Sequence, residues 1–329
     1  MKDPKDNTRP HGSDPGSAQN AEPPVSGSIA YSLKHMTPDM ITPSIEPDVS
    51  EKKRAARRKI LNTAIFIVSV CVFAGSLISI INKFTWYKRS EEFYEELLQD
   101  MTNEDSRLDV TAQDIATPPF GTRIKAGEST LDRTLYERMK SRLSVLKAIN
   151  PDICGWINIP GTKHINYPIL QGKDNEYYLE REYTGGYLPA GSIFVDYACD
   201  RDFNGNFNTV IYGHNMQNGM MFSELINFLD RDFFENNKYV YIYTEYGVYT
   251  YEVFSVFKAD YMYRYIETGF PTHEDFIEFG YEMKANSIYQ RDGIEFDRDS
   301  RIITLSTCTN ERRTERYAVQ ALLVDAYNG

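Results

Sequence analysis

The sequence predicts a mainly β protein: a mixed β-barrel with helices added at its N-terminal side and in one long loop, preceded by a single transmembrane helix. Three observations predict it. From Gly155 onward, short runs of β-branched and aromatic residues alternate with turn signals such as Pro160-Gly161. Aromatic residues are spread along the chain, with 24 Tyr and 18 Phe among 329 residues. Ile60 to Asn82 carries no charged residue, while Lys59 and Lys83 flank it.

Residues 1–59 read as a disordered cytoplasmic tail, rich in Pro, Ser, Asp, Asn and Gly, which ends in a basic juxtamembrane cluster. Residues 51–59 hold six Lys/Arg against one Asp/Glu. As a helix, residues 60–82 would be about 34 Å long, enough to cross a hydrocarbon core of roughly 30 Å. The preceding cluster Lys52 to Lys59 keeps the N-terminus in the cytoplasm by the positive-inside rule, so everything after residue 83 is extracellular. Trp86 and Tyr87 then fall at the outer interface. A signal peptide fits poorly, because the apolar run is long and starts sixty residues in. The remainder, residues 60–329, holds 26 Lys/Arg against 39 Asp/Glu. Such an acidic body argues against a nucleic-acid partner.

Residues 83–129 divide into a helix from Lys88 to Met101, with Phe93, Leu97 and Leu98 near one face, and a linker containing Pro118-Pro119. A second helix opens at Thr130 and runs to about Asn150, with Leu131, Leu135, Met139, Leu143 and Leu146 at helical spacing. Strands are expected at Gly155–Ile159, Ser192–Asp196 and Asn208–Tyr212. A hairpin follows, Tyr239–Thr244 and Val248–Lys258, turning through Glu245-Tyr246-Gly247. Helical inserts are expected at Met220–Leu229 and from Thr272 to about Ser287, where Thr272 and Asp275 suit a capping box. The last two strands are Ile302–Cys308 and the stretch opening at Arg316-Tyr317-Ala318-Val319-Gln320, joined by a polar loop from Thr309 to Glu315.

That final pair sets Cys308 at the end of one strand and Arg316 at the start of the next. A cation beside a thiol favours the thiolate, the reactive form; a buried, inert cysteine beside an unrelated arginine is the competing interpretation. Cys71 lies in the membrane span, so Cys154, Cys199 and Cys308 are exported. Their odd number leaves at least one unpaired within the chain. A proton-transfer partner is scarce: His11 and His35 are in the tail, His164 is in a turn and His273 is at a helix start. His214 stands where the strand ending at Tyr212 runs into a loop through Gly213, a place where folds carry reactive groups.

Tyr-Gly-His-Asn-Met (212–216), Thr-Leu-Ser-Thr-Cys (304–308) and Arg-Tyr-Ala-Val (316–319) together resemble the catalytic segments of the sortase transpeptidases. Gly155-Trp156-Ile157, Ile159-Pro160-Gly161-Thr162, Tyr167-Pro168, Asp174 to Leu179 and Gly191 to Asp196 are similar too. The resemblance covers residues 130–329, the expected catalytic domain. The long segment between Lys258 and Arg301 and the N-terminal helices are most like class B sortases. The resemblance implies a cysteine peptidase-like enzyme of Gram-positive cell membranes that anchors surface proteins to the cell wall. Cys308 would attack a carbonyl in the C-terminal sorting motif of an exported protein, His214 would act as general acid and base, and Arg316 would stabilise the oxyanion or hold the peptide. Asp174, Asn175 and Leu179 would lie along the substrate groove, and Tyr212, Ser306 and Thr307 near the thiol. The acceptor would be an amine of peptidoglycan or of its lipid-linked precursor.

Some class B members carry an acidic residue two positions after the cysteine; here it is Asn310, so a carboxylate there is unsupported. Arg312 and Arg313 compete with Arg316 for the cationic role, and Arg316 is preferred because it leads directly into a strand. No cofactor is expected, and no compact carboxylate cluster compels calcium. A pilin-polymerising sortase that uses a lysine nucleophile, a catalytically silent peptide-binding barrel and an ordinary cysteine protease are the alternatives.

Overall fold

The structure is a computed structural model that describes residues 49–102, 133–203, 205–260, 262–308 and 314–328. The tail before residue 49, the linker expected at 103–129 and residues Asn310, Arg312 and Arg313 lie outside them. The first element, α1, is one helix from Val49 to Thr102. It takes in residues 49–59, expected to be disordered, and joins the two helices expected on either side of residue 83. Lys, Arg and Ala are good helix formers, and between Lys52 and Met101 there is no proline and a single glycine, Gly75, so nothing stops propagation. The chain separates into two units at Phe73/Ala74, inside this helix. Of the first, the described part is the helical stretch 49–73, which is exposed throughout. The helix is long and apolar enough to span a membrane.

In the second unit the far end of α1 packs down. Tyr94 and Leu97 are buried, with Phe93 and Leu98 packed beside them. The Tyr94 hydroxyl donates to the Gly191 carbonyl at 2.8 Å. Helix α2, Arg133–Ile149, buries Met139, Leu143 and Leu146 of the expected stripe, and Tyr136 beside them; Leu131 and the Leu135 side chain lie outside what the structure describes. It lies against β1 and β5.

Eight strands close a barrel: β1 Ile153–Asn158, β2 Asn166–Leu170, β3 Ile193–Val195, β4 Asn208–Tyr212, β5 Tyr239–Tyr243, β6 Gly247–Asp260, β7 Ile302–Cys308 and β8 Glu315–Asn328. Around the barrel their order is β1-β2-β3-β4-β7-β8-β6-β5. The pairs β2–β3 and β4–β7 are parallel and the others antiparallel, so the barrel is mixed as expected. Strand β2 is not evident in the sequence because Pro168 sits in its middle, and proline lacks the N–H that a two-sided ladder needs. It is tolerated because β2 pairs with β3 only from Ile169 onward, leaving Pro168 bonded on the β1 side alone.

Two inserts cover the barrel. The helix expected at Met220–Leu229 is instead a 3-10 helix, Ser223–Leu229, followed by α3, Arg231–Asn236. Met221 has φ of 55°, which bars an earlier start, and the Asp230 side chain caps the Phe233 amide and begins the new helix. The other insert is α4, His273–Ala285, whose start is the expected capping box of Thr272 and Asp275. With β6, β7 and β8 it forms a second apolar cluster from Phe254, Phe257, Phe276, Phe279, Met283 and Phe296. The first cluster fills the barrel and the seam under α1 and α2.

Candidate active site

Parallel pairing of β4 with β7 sets Tyr212 beside Ser306, and antiparallel pairing of β7 with β8 sets Cys308 opposite Arg316. Directly opposed residues on neighbouring strands project to the same face. The thiol and the guanidinium therefore share one rim, as the spacing suggests. Where β4 ends, Gly213 lets the chain pass between Ile193 and Phe222; a Cβ there would lie 2.4 Å from Ile193 Cδ1 and 2.8 Å from Phe222 Cγ. The close passage delivers His214 to the same rim.

A cleft of about 240 Å³ results, lined by Cys308, His214, Arg316, Asn175, Leu179, Tyr212, Ser306 and Thr307, with Phe194 and Gly213 between them. Eight of the nine residues expected at the site converge there. Asp174 does not. It lines a neighbouring cavity of about 650 Å³ that also reaches Leu179 and His214. Its carboxylate accepts the amides of Glu176 and Tyr177, which hold it below the usual carboxylate range and form the short 3-10 turn 177–179.

His214 Nε2 lies 2.7 Å from the Leu179 carbonyl. A carbonyl can only accept, so this nitrogen carries a proton in the arrangement. Asn215 Nδ2 donates to the carbonyl of Cys308 at 2.8 Å, tying the loop after β4 to the end of β7. Below the rim, Asp196 Oδ2 accepts from both Asn175 Nδ2 and the Tyr212 hydroxyl, each at 2.8 Å. Burial, followed by the Asp196 charge, raises the Tyr212 phenol above its ordinary value, so it stays a donor. Tyr265, from the long insert, is 2.9 Å from Ser306 Oγ. Thr307 lines the cleft but is almost wholly buried, and its hydroxyl has no hydrogen-bond partner among the described residues.

Of the three cysteines in the barrel, Cys308 alone is exposed. Burial pushes the Cys154 thiol up to about 12 and the Cys199 thiol up to about 11. Both are neutral apolar fillers near pH 7. Asn215, Asp196 and Tyr265 were not among the residues expected at the site. Asn215 is adjacent to His214 in sequence, but no spacing rule marks the bond it makes.

The Sortase domain family model matches residues 157–324. The chain is a class B sortase. Over 188 residues, 56% of its length, this sortase is 39% identical to Sortase B of Listeria monocytogenes and covers 75% of that protein. It is 36% identical to Sortase B of Staphylococcus aureus over 190 residues, covering 77% of it. Among solved structures, Clostridium perfringens sortase B superposes with a TM-score of 0.53 at 38% identity, covering 55% of this sortase and 99% of that chain. A Staphylococcus aureus sortase B–substrate complex superposes with a TM-score of 0.53 at 35% identity, covering 57% and 86%. Sortases are cysteine transpeptidases, and this chain is one. Its closed barrel with added helices is the sortase B fold.

Proposed function

We propose that this sortase cleaves a C-terminal sorting motif of exported proteins through a thioester on Cys308 and transfers them to an amine of peptidoglycan. The observation that carries the reading is the convergence of Cys308, His214 and Arg316 on one cleft, with Cys308 the exposed thiol of the barrel. The Cys308 sulfur attacks the peptide carbonyl, and the negative charge that gathers on its oxygen is met by the Arg316 guanidinium. A well-placed donor to such an oxyanion is worth about 3–4 kcal/mol. The protonated His214 gives its proton to the departing amine as the C–N bond breaks, leaving the thioester. The acceptor amine then attacks the thioester, His214 takes its proton, and the Cys308 thiolate departs. Asn175, Leu179, Tyr212, Ser306 and Thr307 hold the extended peptide, while Asp174 acts by shaping the turn that carries Leu179. A Staphylococcus aureus relative solved as a substrate complex supports this use of the fold.

Residues 60–82 are proposed to span the membrane, with the basic stretch 52–59 on the cytoplasmic face and the barrel outside. Replacing Cys308 with alanine is expected to abolish both cleavage of a sorting peptide and its thiol-dependent covalent trapping. Unchanged turnover in that variant sinks the proposal. Mass spectrometry of the product separates wall-peptide adducts from protein–protein ladders, the outcome for a pilin polymerase.

A further inference from the structure

A second cleft, of about 450 Å³, lies away from the thiol. One wall is the α1 segment carrying Ser79, Asn82, Lys83 and Trp86; the other carries Pro189 and Met216. We propose that this cleft binds the phosphate-bearing headgroup of an anionic membrane lipid. The inference rests on the reading of residues 60–82 as a membrane span. Ser79 and Asn82 belong to the last turn of that span, so the lower lip of the cleft lies in the headgroup layer of the bilayer. A lipid is therefore the ligand with access to it.

Charge points the same way. Lys88 is paired with Glu92 at 3.3 Å, but Lys83 lines the cleft and no carboxylate does. Lys83 Nζ donates to the neutral Gln217 Oε1 at 3.0 Å and lies over the Tyr87 ring at 5.5 Å, neither of which carries a counter-charge. Trp86 and Tyr87 supply the amphipathic rings that settle at an interface. Arg89 lies over the Trp86 ring at 6.0 Å.

The cleft adjoins the loop that follows His214. Gln217 is three residues beyond His214, and that loop is closed by the Phe222 amide donating to the His214 carbonyl at 2.9 Å. Pro189 lines both this cleft and the 650 Å³ cavity that contains His214 but not Cys308. Trp86 packs edge-on against Tyr187 of the same cavity, centroids 5.7 Å apart. A bound headgroup thus sits one cavity away from His214, with Pro189 between them.

The test uses the full chain in vesicles and the fluorescence of Trp86; the chain's other tryptophan, Trp156, is buried in the barrel and supplies a constant background. Brominated phosphatidylglycerol and brominated phosphatidylcholine are compared as quenchers at equal mole fraction. The expected result is stronger quenching by phosphatidylglycerol, with a preference that falls about fivefold in Lys83→Gln, the loss of one lysine–headgroup attraction. Lys59→Gln, at the opposite end of the span, is expected to keep the preference. Equal quenching by both lipids in the wild type overturns the inference, as does a preference untouched by Lys83→Gln or one abolished by millimolar inorganic phosphate. Protein that fails to float with the vesicles overturns the membrane reading instead, whereas protein that floats without a lipid preference overturns only the headgroup site.

Discussion

The side chain of Asn215 donates a 2.8 Å hydrogen bond to the main-chain carbonyl of Cys308, 93 positions further along the chain. The bond joins the segment bearing the imidazole to the strand end bearing the thiol, so the separation of the two groups is set by a direct tether. Replacing Asn215 with alanine removes the tether but neither reacting group. The expected result is a five- to tenfold fall in turnover, about 1 kcal/mol, with KM little changed. Steady-state kinetics with a sorting peptide checks it. A fall in activity matched by a general loss of thermal stability would assign Asn215 to folding alone.

Gly191 has φ of +60°, and a Cβ there would lie 2.5 Å from the Leu179 carbonyl, the group His214 faces. Gly191→Ala is expected to cost about 2 kcal/mol of stability, because an L residue in this conformation is strained and the carbonyl must move. Urea unfolding measures that cost. Activity well below the unfolding midpoint is expected to fall as well, since the partner of the imidazole is displaced. Full activity in a destabilised variant would show that the Leu179 carbonyl does not position His214.

Asp196 holds Asn175 and Tyr212 through a single carboxylate oxygen. Asp196→Ala leaves both without that partner at the wall of the cleft. We expect KM for the sorting peptide to rise about tenfold, with a stability loss of about 1–3 kcal/mol. A change confined to kcat would argue that these side chains act on the reaction and not on peptide binding.

Thiol chemistry separates the three cysteines of the barrel. At pH 8, iodoacetamide is expected to alkylate Cys308 in the native barrel and to spare Cys154 and Cys199, whose burial raises their thiols to about 12 and about 11. Peptide mapping reads the sites, and denaturant is expected to open all three. Because the folded pKa values are raised above an unfolded value of roughly 8.5, the stability these thiols contribute is complete below that pH. It is lost as pH rises toward 11–12. Denaturation series between pH 8 and 11 are expected to show the decline, less steeply in Cys154→Ala.

Local pattern carried the elements that residue type and turn or cap chemistry decide. The strand Ile302–Cys308, the hairpin turning at residues 244–247 and the capping box of Thr272 and Asp275 are legible because each is decided by near neighbours. Pro168 hid β2, since whether a proline is tolerated depends on where pairing with β3 begins. The positive φ of Met221 shortens the helix expected at Met220–Leu229, and the cap at Asp230 begins a further helix beyond it. Within the site, Asp174 stands in the expected segment but turns to the amides of its own loop.

Residue identity and short spacing determined that the chain has a segment able to span a membrane, a barrel of short strands, and a cysteine strand with an arginine opening the next. Hydrophobic length, strand-forming residue types and turn chemistry act over a few residues, so they are written locally. Only closure of the barrel decided that His214 shares a cleft with Cys308 and that Asp196 supports both Asn175 and Tyr212. Those relations join residues tens of positions apart, and their geometry exists only once β4 pairs with β7 and the ring of strands is complete.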